Sequence, residues 1–320
     1  MLLSKTPLRI SFIGGGTDYF YNESKLKGRV IVTSINKFMY VTLNKKHNRD
    51  LRISYSTTEN VNNVKDIKHN IIRESLKYYK VNNGVELTTI ADIPSSGSGL
   101  ASSSALTVGL SNVLSNFKKI KTNPKIIAEN ACDIEINKCN KPIGMQDQYA
   151  TSFGGLNKIE FYKNKVSVSK IKISNKKLNN LNDHLLLFYT GINRKADQIL
   201  SKIKKSGNQF KNFEKLSYLT LIFEKELKLG NFVNCGQILH ESWMLKKNLN
   251  NSVSSLNLDQ TYQAALNSGA VGGKILGAGG GGYFLFLTKP KYKKKIIKSL
   301  SKLEQIDFRF TNEGTRIIKL

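Results

Sequence analysis

The stretch Ile93-Pro94-Ser95-Ser96-Gly97-Ser98-Gly99-Leu100-Ala101-Ser102-Ser103-Ser104-Ala105 concentrates the residue types that can cradle an anion. Glycine lets backbone approach a phosphate closely, small hydroxyl side chains add donors, and a following helix offers free N–H groups and the positive end of its dipole. Strand-like Val85 to Ile93 precedes the run, and Leu106, Leu110, Val113, Leu114 and Phe117 follow it at helical spacing, so its context is strand, loop, helix. No Gly-Lys-Ser/Thr closes the run, which excludes a Walker A loop, and the Gly-x-Ser-x-Gly of a hydrolase elbow is absent. A flexible surface loop is the plain alternative to a phosphate site.

Three further groups carry chemistry. The run Gly277-Ala278-Gly279-Gly280-Gly281-Gly282 fits the dinucleotide pattern G-x-G-x-x-G. That fold needs a helix after the glycines, whereas Tyr283 to Leu287 reads as a strand, so a tight turn against another backbone or a phosphate fits better. Near the N-terminus, Arg9 interrupts the apolar strand Leu8 to Ile13, and Asp18 follows Gly14-Gly15-Gly16-Thr17. Finally, Glu135 sits on the small apolar face of a helix after Pro124, marked by Ala128, Ala131, Cys132 and Cys139, and Asp147 follows twelve residues later, ahead of Gly154-Gly155. Taken singly, these charges read as surface groups, caps or structural ion pairs. Beside a phosphate loop, the two carboxylates point to one metal ligand and one base.

The elements that must position these groups alternate along the chain. Leu8 to Ile13, Val30 to Thr33, Tyr40 to Leu43 and Leu51 to Tyr55 read as strands, Ile67 to Tyr79 as a helix, and a turn-rich segment around Gly144 leads to strand-like Leu156 to Phe161. Beyond about residue 170, Leu185 to Tyr189 and Tyr283 to Leu287 read as strands. Helical stretches fill much of 195 to 268, Pro290 to Leu303 is a basic helix, and a last strand ends the chain. Strands and helices mix in both halves, which predicts an α+β protein of two lobes, with a soft boundary near 170 to 183.

Composition bounds the class. The 320 residues are 40% hydrophobic and 23% charged, with 24 Gly and 5 Pro, which excludes collagen-like and wholly disordered chains. No apolar run approaches the roughly 20 residues of a membrane helix, and the N-terminus lacks a signal-peptide core; the reading predicts a cytoplasmic protein without membrane partners. Cys132, Cys139 and Cys235 are too few for a disulfide framework and read as reduced core thiols. The net charge of +27 draws anions, but the basic residues are scattered and no nucleic-acid motif accompanies them. Small phosphorylated molecules, not nucleic acid, are the expected partners.

Together these stretches resemble the GHMP kinase superfamily, the galactokinase, homoserine, mevalonate and phosphomevalonate kinases. Its three motif regions occur in order and span nearly the whole chain. Thr6-Pro7-Leu8-Arg9 with Ile13-Gly14-Gly15-Gly16-Thr17-Asp18-Tyr19 is similar to the galactokinase-type first motif, with Gly14-Gly15-Gly16 in place of the usual Gly-Glu-His. Pro94 to Ala105 resembles the second motif and Gly277 to Gly282 the third. Within the superfamily, Gly14 to Asp18, Pro142 to Tyr149 and Leu276 to Gly282 look most like the D-glycero-D-manno-heptose 7-phosphate kinases.

The resemblance implies a two-lobed α+β fold, with a lobe like the second domain of ribosomal protein S5 over residues 1–172 and a ferredoxin-like lobe over 173–320. It implies ATP and Mg²⁺ as cofactors and phosphorylation of the anomeric C1 hydroxyl of a heptose 7-phosphate, giving the 1,7-bisphosphate on a route to nucleotide-activated heptose. Ser95, Ser96, Gly97, Ser98, Gly99, Leu100, Ala101, Ser102 and Ser103 would wrap the ATP phosphates, and Ser103 with Glu135 would hold Mg²⁺. Asp147 would orient or deprotonate the sugar hydroxyl, and Arg9 would stabilise that carboxylate and the developing charge. Asp18, with Gly15, Gly16 and Thr17, and Gly279 with Gly280 would meet the sugar, while Arg194, Lys195 and Lys274 are candidates for its phosphate. The resemblance leaves room for a homodimer. A kinase for unphosphorylated galactose or fucose, and a silent sugar- or nucleotide-sensing relative, are the competing readings.

Overall fold

The computed structural model describes residues 1–20, 27–93, 97–163, 165–193, 199, 201 and 210–319. The first lobe is built from β1 (Leu2–Ile13), a single turn α1 (Thr17–Phe20), β2 (Gly28–Lys45), β3 (Leu51–Ser54), β4 (Thr58–Val61), α2 (Asn70–Tyr78), β5 (Val85–Ala91), α3 (Ser102–Phe117), α4 (Pro124–Cys132), α5 (Gln146–Phe153), β6 (Leu156–Tyr162) and β7 (Lys165–Lys170). The second holds α6 (Asn175–Asp183), β8 (Leu185–Tyr189), α7 (Phe210–Leu229), α8 (Phe232–Lys247), α9 (Leu256–Asn267), β9 (Ala270–Ile275), β10 (Tyr283–Thr288), α10 (Lys293–Ser299) and β11 (Glu304–Gln305). The last strand, β12 (Arg316–Lys319), returns to the first sheet and pairs antiparallel with Leu2 to Lys5. A single cut at residue 172 therefore leaves one strand of the first sheet on the far side.

The first sheet has eight strands, in the order β12-β1-β2-β5-β3-β4, with β6 and β7 branching from β2. The branch exists because β2 is 18 residues long: Gly28 to Thr33 pairs with β6, and Met39 to Lys45 pairs with β5. Every residue of β1 from Thr6 to Ile13 is buried, which is why its sequence reads as an apolar run and not an alternation. Side chains on a strand still alternate between faces. Phe12 packs on Phe223 of α7 at 5.7 Å between ring centroids, whereas Arg9 and Ser11 share the opposite register and meet the start of α5.

The second sheet is antiparallel, ordered β11-β8-β10-β9, with the fully buried β10 at its centre. Trp243, Tyr262, Phe284 and Phe286 are in the core on one of its faces. All three cysteines are free thiols, Cys132 and Cys235 buried and Cys139 half-buried. Among the described residues, no helix is long and apolar enough to cross a membrane.

The structure differs from the sequence reading in four places. The turn-rich segment around Gly144 runs into a helix, α5; its signal was the Tyr149–Phe153 pair at i,i+4, with rings 6.2 Å apart, ended by Gly154 at a φ of +68° that favours glycine. Strands β4 and β7 are polar and largely exposed edges that carry no continuous apolar run. The helix expected over Pro290 to Leu303 is a 3₁₀ turn at Pro290–Tyr292 followed by the seven residues of α10. Glu135 lies on a π-helical turn, Asp133–Lys138, that continues α4, a widening common at functional sites.

Candidate active site

The first turn of α5 joins three parts of the site. Consecutive residues on a helix point about 100° apart, so Gln146, Asp147 and Gln148 reach in three directions. Gln146 Nε2 donates to Asp18 Oδ1 at 3.0 Å, and its Oε1 accepts from Ser11 Oγ at 2.9 Å. Asp147 receives a fork from Arg9, Nε to Oδ1 at 2.8 Å and Nη2 to Oδ2 at 2.7 Å. Gln148 Nε2 donates to Glu135 Oε2 at 2.7 Å. Two parallel bonds from a buried guanidinium fix both the position and the plane of the Asp147 carboxylate, which keeps a quarter of its surface open.

The glycine/serine loop closes onto this pair. Arg9 Nη1 donates to the Gly99 carbonyl at 2.7 Å, and Arg9 N donates to the Leu100 carbonyl at 3.2 Å, so one residue ties the acid to the loop. Ser98 and Ser102 are buried with their hydroxyls 2.7 Å apart; Ser103, one position later, is exposed. The loop enters α3 through Ala101 in a left-handed conformation, and the first turn of α3 carries no acidic residue, so its free N–H groups are open to an anion. The third glycine run lies against the same loop. A side chain at Gly282, whose φ is +88°, would strike the Ser98 carbonyl. Lys246 of α8 donates to the Gly277 carbonyl and pins the start of that run.

Ser103 Oγ donates to Glu135 Oε1 at 2.6 Å, and Glu135 is fully buried. A hydroxyl and a carboxylate form an oxygen-only donor pair suited to a hard cation such as Mg²⁺, which binds through one or two carboxylates and otherwise through substrate phosphates and water. The Lys141 ammonium already lies on both, 2.6 Å from Ser103 Oγ and 3.1 Å from Glu135 Oε1, so the position accepts positive charge. Among the described residues no group of three or more His, Cys, Asp or Glu side chains could hold a metal ion.

Asp18 stands opposite, buried, accepting from Gly16 N at 3.0 Å, from Gln146 N at 3.1 Å and from Gln146 Nε2. Burial pushes its carboxyl up to about 6; the Gln146 N–H opposes this, and the nearby Asp147 charge reinforces it. Gly144 is required beside it, since a Cβ there would run into the Asp18 carboxylate. The sign of the linkage is that of a raised acid. Protonated Asp18 favours folding fully below pH about 4, and roughly 3 kcal/mol of that stabilisation is lost as pH rises through 6. Asp18→Asn should flatten the fall in stability between pH 4 and 6 relative to the parent, read by thermal melts; equal slopes in both proteins would count against it.

Most residues expected at the site converge: Arg9, Asp147, Asp18, Gly15, Gly16, Gly97 to Ser103 and Glu135. Three expected sugar contacts and one expected phosphate contact are engaged elsewhere in the structure. Thr17 is buried, its hydroxyl 2.7 Å from the Gly14 carbonyl and 3.0 Å from that of Arg29, so it anchors the turn under Asp18. Gly279 and Gly280 are taken up by the turn at 251–253, with Gly280 N donating to the Val253 carbonyl at 2.7 Å. Lys274, expected to grip phosphate, is buried in β9 and donates to the Ser11 carbonyl at 3.0 Å. Burial pulls its ammonium down to about 7, the Arg9 charge acts the same way, and Asp147 opposes. Ser95, Ser96, Arg194 and Lys195 lie outside the described residues. Sequence reasoning missed Ser11, Lys141, Gln146 and Gln148; the amides flanking Asp147 were the available signal.

Residues 63–155 match the family of GHMP kinases, N terminal domain, and residues 223–304 match GHMP kinases, C terminal. The chain is 32% identical to the D-glycero-alpha-D-manno-heptose 7-phosphate kinase of Campylobacter jejuni, over 98% of this chain and 97% of that one. It belongs to the GHMP kinase family. This GHMP kinase is also 25% identical to the galactokinase of Pyrococcus furiosus, over 91% of this chain and 90% of the other. Among solved structures, a D-glycero-D-manno-heptose 1-phosphate kinase from Bacteriodes thetaiotaomicron superposes with a TM-score of 0.83 at 22% identity, covering 100% and 99% of the two chains. A mevalonate kinase gives 0.75 at 21% identity over 98% and 100%; these two establish the fold. Within the family the chain is a sugar kinase, like the heptose 7-phosphate kinase and the galactokinase that match over nine tenths or more of its length.

Proposed function

We propose that this GHMP kinase transfers the γ-phosphoryl group of ATP to the anomeric C1 hydroxyl of D-glycero-D-manno-heptose 7-phosphate, releasing ADP and the 1,7-bisphosphate. The observation that carries this reading is the full-length similarity to the Campylobacter jejuni heptose 7-phosphate kinase, on a chain whose Gln146 bonds to Asp18 and whose Asp147 is tied through Arg9 to the serine loop. Phosphoryl transfer depends chiefly on positioning and charge neutralisation, and the residues divide that work. Backbone N–H groups from Gly97 to Ser103 and the α3 terminus hold the phosphate tail. Ser103 and Glu135 would hold Mg²⁺, which neutralises phosphate charge when bound. Asp147 accepts the proton of the sugar hydroxyl as its oxygen bonds to phosphorus, and Arg9 holds that carboxylate and faces the charge that develops. Asp18 accepts from a sugar hydroxyl, with Gly15 leaving room beside the Gln146 amide.

The test supplies ATP and Mg²⁺ with heptose 7-phosphate, mannose, galactose or fucose and identifies products by phosphorus NMR. An anomeric phosphate signal formed fastest from heptose 7-phosphate is expected. Faster turnover of galactose or fucose would replace this reading with a kinase for an unphosphorylated sugar. Arg194 and Lys195 are retained as candidates for the 7-phosphate.

A further inference from the structure

Lys141 leaves the π-helical turn six residues after Glu135, and its own N–H donates to the Glu135 carbonyl at 3.0 Å. That backbone bond folds the side chain back over the turn. Its ammonium then donates to Ser103 Oγ at 2.6 Å and to Glu135 Oε1 at 3.1 Å, the two groups assigned above to the metal. Glu135 is fully buried, while the Lys141 side chain keeps about a fifth of its surface, 21%, open to solvent. A carboxylate taken out of water is unfavourable without a counter-charge, and among the described residues Lys141 is its ion-pair partner.

We propose that the Lys141 ammonium is a resident counter-ion occupying the divalent-cation position at Ser103 and Glu135, so that the free enzyme excludes the bare ion and admits it with nucleotide. The inference rests on the assignment of Ser103 and Glu135 to the metal. Charge arithmetic sets the order of events. A bare divalent ion beside Lys141 would place three positive charges against the one carboxylate of Glu135, and like charges at this separation repel strongly in a half-buried site. A triphosphate tail adds enough negative charge for both cations to be accommodated. The flexible four-carbon stem and the open side of Lys141 give the ammonium a way out toward that tail.

Mn²⁺ serves as the probe, with bound and free ion separated by electron paramagnetic resonance on the whole protein, with and without a non-hydrolysable ATP analogue. Lys141→Met and Lys141→Gln should each bind Mn²⁺ about tenfold more tightly than the parent when nucleotide is absent, because one repelling charge is gone. A merely structural role for Lys141 predicts the reverse, since loss of packing weakens a site. Unchanged or weaker nucleotide-free binding in both variants would overturn the proposal. Glu135→Gln separates this from the reading beneath it: loss of Mn²⁺ in the presence of the analogue keeps the metal assignment. Parent-like Mn²⁺ binding in that variant would remove both.

Discussion

Replacing Asp147 by Asn is expected to lower kcat roughly a thousandfold, within the range a positioned base contributes, while nucleotide affinity changes by less than about threefold. The amide keeps the volume of the carboxylate but cannot take the proton of the attacking hydroxyl. It also presents an NH₂ to a guanidinium that needs two acceptors, so the Arg9 fork loses one of its two bonds. Steady-state kinetics on the best sugar, with calorimetric titration of an ATP analogue, separates chemistry from binding. A drop in kcat smaller than tenfold would remove Asp147 from the reaction.

The second large effect is expected at Arg9. Arg9→Lys preserves the charge but a single ammonium cannot donate in parallel to both Asp147 oxygens and also reach the Gly99 carbonyl. Turnover should fall about a hundredfold, with the KM for ATP raised as well because the serine loop loses the side-chain bond at Gly99 and keeps only the backbone bond from Arg9 N to the Leu100 carbonyl. Arg9 is buried, so the shortened side chain also leaves a gap; melting temperature, measured alongside, should drop by several degrees. A variant that melts lower yet retains parent-like kcat would place Arg9 in the scaffold alone.

The candidate site is legible in the sequence where its chemistry would be carried by a local pattern. Arg9 inside an apolar strand, the serine loop before a helix, and Asp147 ahead of paired glycines each advertise themselves within a dozen residues. What stayed hidden depends on contacts across the fold. Lys274 precedes a glycine run, as a phosphate ligand would, yet strand β9 directs it inward onto Ser11. The resemblance implies a sugar contact at Thr17, but one position along α1 turns the side chain by about 100° from Asp18, and its hydroxyl meets the Arg29 backbone. Lys141 is one lysine among many in a chain of +27 charge, and only the fold-back after the π-helical turn distinguishes it. The edge strands β4 and β7 escaped for the opposite reason, since exposure removes the apolar pattern by which strands are recognised.

The fan of Gln146, Asp147 and Gln148 has an evolutionary corollary. Each connection can be probed by exchanging one side chain, but all three share a single angular register. Inserting or deleting one amino acid within α5, between Gln148 and Phe153, would rotate the whole set by about 100° against the rest of the helix, turning the acid away from its arginine and both amides away from their carboxylates. Descendants of this gene therefore lose a single connection by exchanging one of these side chains, whereas a change in the length of this helix breaks all three.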